Sequence, residues 1–187
     1  MLGMSADTSQ NNPWIFRSLI VISCTLIIWA FTKPFWVCFI DSNIGLIGSV
    51  TVYGWGLRTS QGYIIYEIAS DITPLYQVVI AWAFIGISCV LSIASTFLKG
   101  TKGRLLLGAT GAGLCLYALF AVFVVIRRRL AEDGINLQGE SFLEKGMGTT
   151  VQANLEIGFY VMLISTVFLI ILAILQKLIV SNTPGKM

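Results

Sequence analysis

The sequence predicts an all-α membrane protein: an antiparallel bundle of four transmembrane helices with a small β-sheet or hairpin in the first extramembrane loop. Two observations carry this. Hydrophobic residues make up 56% of the 187 and charged residues 11%, with a mean hydropathy of +0.84, whereas soluble domains carry about 25% charged residues. The apolar residues are also gathered into four blocks of about twenty, the length that crosses a hydrocarbon core about 30 Å thick. The whole chain is expected to form a single domain with spans at about 18–40, 75–98, 105–126 and 157–176.

The first span begins after Arg17 and is read as a retained helix, because the polar residues 1–13 and the apolar run behind them show no small-residue cleavage site. Lys33 and Pro34 interrupt it near its outer end, where a lysine can snorkel and a proline is tolerated. Trp14, Trp29 and Trp36 are placed at the membrane boundaries, which suit amphipathic rings.

The segment 41–74 has a different texture. Val50–Tyr53 and Tyr63–Ile68 are rich in β-branched and aromatic residues and are separated by Gly54, Gly56 and Gly62, which predicts a short antiparallel pair. Two strands alone are marginal in water, so the pair is expected to rest on the bundle or on a partner. Tyr53, Trp55, Leu57, Arg58, Tyr63 and Tyr66 are the candidate partner contacts, since aromatic residues and arginine anchor interfaces. The same aromatics could instead seat the loop on its own bundle or at lipid headgroups.

The second and third spans are joined by the basic turn 99–104, short enough to make them antiparallel neighbours. In the third, Gly108 with Ala112 and Ala109 with Gly113 are small-x-x-x-small pairs that mark a helix-packing face. Arg127, Arg128 and Arg129 open a second outer loop over 127–155, where they are expected to pair with the acids that follow or with lipid phosphates. Glu132, Asp133, Glu140 and Glu144 read as a solvated loop face. Hydroxyls inside the spans, such as Ser88, Ser92, Ser95, Thr110, Ser165 and Thr166, are expected to bond back to their own helix or across to a neighbour.

The chain contains no histidine, which removes imidazole ligation and imidazole acid–base chemistry. Cys24, Cys38, Cys89 and Cys115 form no C-x-x-C pair; the three inside apolar runs read as small hydrophobes, and Cys38 has no cysteine in the polar loops to pair with. No catalytic, cofactor or metal site is expected. A net charge of +3 with scattered basic residues argues against nucleic acid as a partner. Lysine and arginine tie between the two sides of the bundle, so orientation rests on the tight basic turn, which places it and both termini in the cytoplasm.

Three features together resemble the claudin and peripheral myelin protein superfamily: a long β-textured first loop, a short basic turn and a shorter second outer loop. Gly54-Trp55-Gly56-Leu57 is similar to the tryptophan-glycine-leucine-tryptophan signature of claudins, and Glu156-Ile157-Gly158-Phe159-Tyr160 to the entry of the fourth span in that superfamily. The chain departs from claudins in lacking the first-loop cysteine pair, in carrying Arg58 after Leu57, and in lacking a hydrophobic carboxy-terminal motif. The resemblance implies a tetraspan acting in adhesion, in barrier formation or as an auxiliary subunit. The leading expectation is therefore a non-catalytic accessory subunit that contacts other integral membrane proteins, or further copies of itself, within the cell membrane. An oligomeric channel or small transporter is the alternative, although the spans hold no ionisable group of the kind such proteins place at mid-membrane.

Overall fold

The computed structural model describes residues 13–42, 45–55, 58–62, 75–98, 100–132, 134–143 and 149–181. Its helices are α1 (Pro13–Phe31), α2 (Leu75–Ala94), α3 (Thr101–Phe120), α4 (Arg127–Glu132) and α5 (Ile157–Ser181), with strands β1 (Pro34–Ser42), β2 (Gly45–Tyr53), β3 (Arg58–Gly62), β4 (Gly139–Leu143) and β5 (Thr149–Leu155). Four helical stretches are long and apolar enough to cross a membrane: Trp14–Phe31, Tyr76–Ala94, Thr101–Ile126 and Ile157–Gln176.

The third stretch joins α3 to α4 through a π-helical segment, Ala121–Ile126. Buried positions there recur every four residues, at Leu114, Ala118, Val122, Ile126 and Leu130 after one step of three from Gly111. At 3.6 residues per turn such a repeat rotates steadily off the core. The wider π turn takes up the difference and holds Val122, Ile126 and Leu130 inward. Gly134, with φ 72°, then ends α4: Ile135 N–H donates to Leu130 O at 2.8 Å and Gly134 N–H to Ala131 O at 3.3 Å, the paired bonds of a Schellman stop.

The expected first span of 18–40 is too long. Helix α1 stops at Phe31, and Pro34 instead starts a strand; proline lacks the N–H a helix needs but is tolerated as a first strand residue. Trp36 accordingly lies outside the helix. It is 1% exposed, in β1, with its indole N–H donated to Leu137 O at 2.8 Å. The β-structure is also larger than a first-loop hairpin. All five strands form one antiparallel sheet in the order β3-β2-β1-β5-β4, so the segment between α4 and α5 supplies two strands, and Glu140 sits in β4 rather than in a loop. Val50–Tyr53 ends β2 and pairs with β1 and β3; the expected partner strand, 63–68, lies outside the described residues.

The alternation of the sheet is one-sided, as expected where one face packs and the other meets water. Cys38, Ile40, Val50, Val52, Ser141, Val151 and Ala153 are buried, while Phe39, Asp41, Glu140, Gln152 and Asn154 are exposed. A register shift between Pro34 and Trp36 breaks the alternation at the start of β1. An irregularity of this kind turns a strand locally, and here Phe35 and Trp36 are both buried.

Helix α5 enters at the junction of sheet and bundle. A Cβ built on Gly158 would lie 2.6 Å from Pro34 O and 2.8 Å from both Ala30 O and Lys33 O. These are backbone atoms that cannot swing aside. Gly158→Ala is expected to destabilise the protein by about 1–3 kcal/mol or more, the cost of overpacking. Gly86→Ala, where a Cβ meets nothing within 4 Å, should stay within about 0.5 kcal/mol of the parent. Thermal unfolding of both variants, followed by size-exclusion fluorescence in one detergent, tests the contrast.

Candidate functional site

Trp55 and Tyr53 lie at the end of β2, and their rings meet with centroids 6.0 Å apart. Trp55 in turn meets Trp82 of α2 at 6.0 Å, Trp82 packs edge-on to Phe31 of α1 at 4.9 Å, and Phe31 and Phe84 both approach Tyr117 of α3. The Tyr117 hydroxyl donates to Gly54 O at 2.8 Å. A run of aromatic contacts therefore ties the tip of the first outer segment to three helices. Edge-on and tilted ring pairs at such separations contribute about 0.5–1.5 kcal/mol each beyond area burial. The Trp55 indole N–H is buried without an acceptor among the described residues.

Gly54 is needed at this point because its missing Cβ would run into the ring of Phe35, 2.6 Å from Cε1 and 2.8 Å from Cε2. Phe35 is itself buried against Phe159, the residue after Gly158. Of the other candidate contacts, Arg58 opens β3 opposite Val52, while Leu57, Tyr63 and Tyr66 lie outside the described residues.

The small residues of α3 face different neighbours. Gly108 approaches Ala173 of α5, and with Ala109 it borders an open groove of about 400 Å³ between α3 and α5. Gly113 turns toward Phe84, and Ala112 is exposed. Of the α3 glycines facing α5, Gly111 is the tighter: a Cβ there would sit 3.1 Å from Ile170 Cγ1 and 3.2 Å from Leu169 Cβ. The pairwise small-x-x-x-small reading passes over it, although it lies in the same run of small residues. Arg127 and Arg128 are exposed, and the side chain of Arg129 is outside the described residues.

The interior hydroxyls mostly bond within their own helices: Ser23 to Leu19 O, Ser95 to Ser92 O, Thr166 to Leu163 O. Ser92 and Thr110 also meet across α2 and α3 at 2.9 Å. Among the described residues no three of His, Cys, Asp and Glu gather as a metal-holding group.

What faces outward is the polar side of the sheet. Glu140 Oε1 accepts from Gln152 Nε2 at 3.0 Å, and Gln152 stands opposite Phe39 in the β1–β5 register, with Ser49 opposite Phe39 on the other side. Phe39 is 41% exposed, an aromatic ring set between polar neighbours. No family model matches the chain, and none among curated proteins is similar to it. The case for this surface accordingly rests on its geometry.

Two expectations follow. Tyr117→Phe keeps the ring contacts and loses the bond to Gly54 O; it should cost about 0.5–1.5 kcal/mol, measured as a lower Tm, with the fold otherwise retained. Burial pushes the Cys38 thiol up from the usual 9.0 to about 12. The unfolded chain releases this proton near pH 9 while the folded chain keeps it, so unfolding gains as pH rises from about 9 toward 12 and is unaffected below. Thermal melts across that range should show a steeper loss for the parent than for Cys38→Ala, and Cys38 should resist alkylation at pH 8 until the protein is unfolded.

Proposed function

We propose that the chain is a non-catalytic, multi-pass accessory subunit of the cell membrane, with cytoplasmic termini, that binds the extramembrane part of another integral membrane protein through the outer face of its sheet. The observation that carries this reading is Phe39. Among the described residues it stands exposed on the same sheet face as Asp41, Glu140, Gln152 and Asn154, whereas Tyr53 and Trp55 are engaged with each other and, through Trp82, with the bundle. An aromatic centre with a polar, hydrogen-bonding surround is the composition of a recognition patch. The four apolar helices support a bilayer as the medium, and the basic turn 99–104 supports its cytoplasmic placement.

A distant kinship with claudin-like tetraspans is a second proposal. It is supported by the Gly54-Trp55-Gly56-Leu57 segment and by Glu156-Ile157-Gly158-Phe159-Tyr160 at the entry to α5. Under it, the same face meets a second copy on an apposed cell.

Affinity purification of the tagged chain in nanodiscs, followed by mass spectrometry, tests both. A companion membrane protein should co-migrate with the parent, and Phe39→Ser should lower its recovery about tenfold, the loss of one anchoring side chain, while the variant stays monodisperse. A clean monomer without companions would remove the subunit reading. Aggregation of otherwise non-adhesive cells expressing the chain, abolished by the same substitution, would assign the face to homotypic adhesion.

A further inference from the structure

Cys24 and Cys89 are 65 residues apart and face each other inside the bundle. Cys24 lies in α1 and Cys89 in α2, 3% and 4% exposed. Cys24 Sγ reaches Cys89 O at 3.8 Å, and Cys89 Sγ reaches Cys24 O at 3.9 Å. Each sulfur therefore rests against the other residue's own backbone, a reciprocal placement that brings the two cysteines side by side. A disulfide needs Cα atoms about 4.4–6.8 Å apart with the Cβ atoms turned toward each other. Neither Cys38, in β1, nor Cys115, in α3, has a thiol partner among the described residues.

The location matters as much as the geometry. Helix α1 packs much more extensively on α5 than on α2, so the thiol pair lies in the smaller of the two contacts, which also includes the Phe31–Trp82 ring pair. Those two helices also bracket β1, β2 and β3 in the chain, and a bond between them would close the whole first outer segment into a covalent loop. Thr25 and Val90, the next residues on each helix, are exposed. Gly86, three residues before Cys89, is exposed, with nothing within 4 Å of where a Cβ would sit.

We propose that Cys24 and Cys89 are an oxidisable dithiol: a two-electron oxidant of the quinone class, dissolved in the hydrocarbon phase, converts them to a disulfide that fastens α1 to α2. The reaction rests on the helices lying in a bilayer, but not on the chain having a protein partner. Two S–H bonds break and one S–S bond forms, while two protons and two electrons pass to the quinone and leave it as quinol. Thiol–disulfide exchange with a small reductant reverses the step. The oxidised chain has a stiffened α1–α2 pair at the base of the sheet; the reduced chain leaves that contact free to shift.

The test uses the full chain in nanodiscs, carrying Cys38→Ala and Cys115→Ala so that only the two sulfurs remain. After treatment with a short-chain benzoquinone and blocking of free thiols, trypsin cuts behind Arg17, Arg58 and Lys99 and passes over the Lys33–Pro34 bond. Peptides 18–58 and 59–99 should then travel as one species, two hydrogens lighter than their sum, and separate on reduction. Cys24→Ser should abolish the link. The oxidised protein should melt several degrees higher than the reduced one, and a reductant should remove the difference. Recovery of both peptides singly alkylated after quinone treatment would overturn the proposal, and so would a link obtained with diamide but not with quinone. Mixing isotope-labelled and unlabelled chains separates the remaining case: a link found only between copies also overturns it. If the double variant does not fold, the native chain serves, with fragment ions assigning each sulfur.

Discussion

The assembly of sheet on bundle depends on one close approach of backbone to backbone. The first turn of α5 passes the end of α1 where Ala30, Lys33 and Pro34 present their carbonyl oxygens, and only a residue without a Cβ fits there. Carbonyls at a helix C-terminus lack intrahelical donors, so this corner is polar as well as tight. Because Gly158 allows α5 into it, Glu156 N–H reaches Phe35 O at 2.9 Å, and the strand that ends at Leu155 is delivered beside β1 with Leu155 opposite Trp36. The register of the whole β1–β5 pair follows from that point. A one-residue slip would turn Val151 and Ala153 outward and Gln152 and Asn154 into the core.

From the same corner the aromatic packing divides in two. On one side Phe35 lies between Gly54 and Phe159, and Phe159 continues to Phe123 in the π-helical segment. On the other, Phe31 leads through Trp82 to Trp55 and through Tyr117 back to Gly54. The two branches meet again at Gly54, so the tip of β2 is held from both sides. The first outer segment thus behaves as part of the bundle at its base, while its outer face stays available.

How far this was legible in the sequence differs from element to element, for physical reasons. The four apolar stretches were evident because a bilayer demands only length and composition. Strand β1 was not, since Pro34–Ser42 continues the apolar run of α1, and a short buried strand cannot be told from helix by periodicity. Its proline was the available signal. Strand β5 carries a clear period of two, with Val151, Ala153 and Leu155 alternating with Gln152 and Asn154, and the signal was there to be used. Gly111 was hidden by its neighbours, because four other small residues in the same turns offer equally plausible packing pairs. The meeting of Cys24 with Cys89 had no sequence signature at all: thiols on different helices are joined by packing, which leaves no fixed spacing of the kind a metal site writes. Trp55 was prominent in the sequence as an aromatic in a loop, but composition cannot say which way a ring faces.

That last point determines where recognition and folding separate. A side chain that belongs to the aromatic run contributes to stability, and its removal would disturb binding only by loosening the sheet. Among the described residues Phe39 belongs to neither branch; its neighbours across the strands are Ser49 and Gln152. Glu140 and Gln152 form a hydrogen bond to each other on the same face, also apart from the packed side. The inner face of the sheet is therefore committed to the bundle, and the outer face retains a chemistry that packing does not require. The thiol pair acts on the other end of the same framework. It lies between the two helices whose ends feed β1 and receive the chain after β3, and the Phe31–Trp82 pair joins the same two helices where Trp55 meets them.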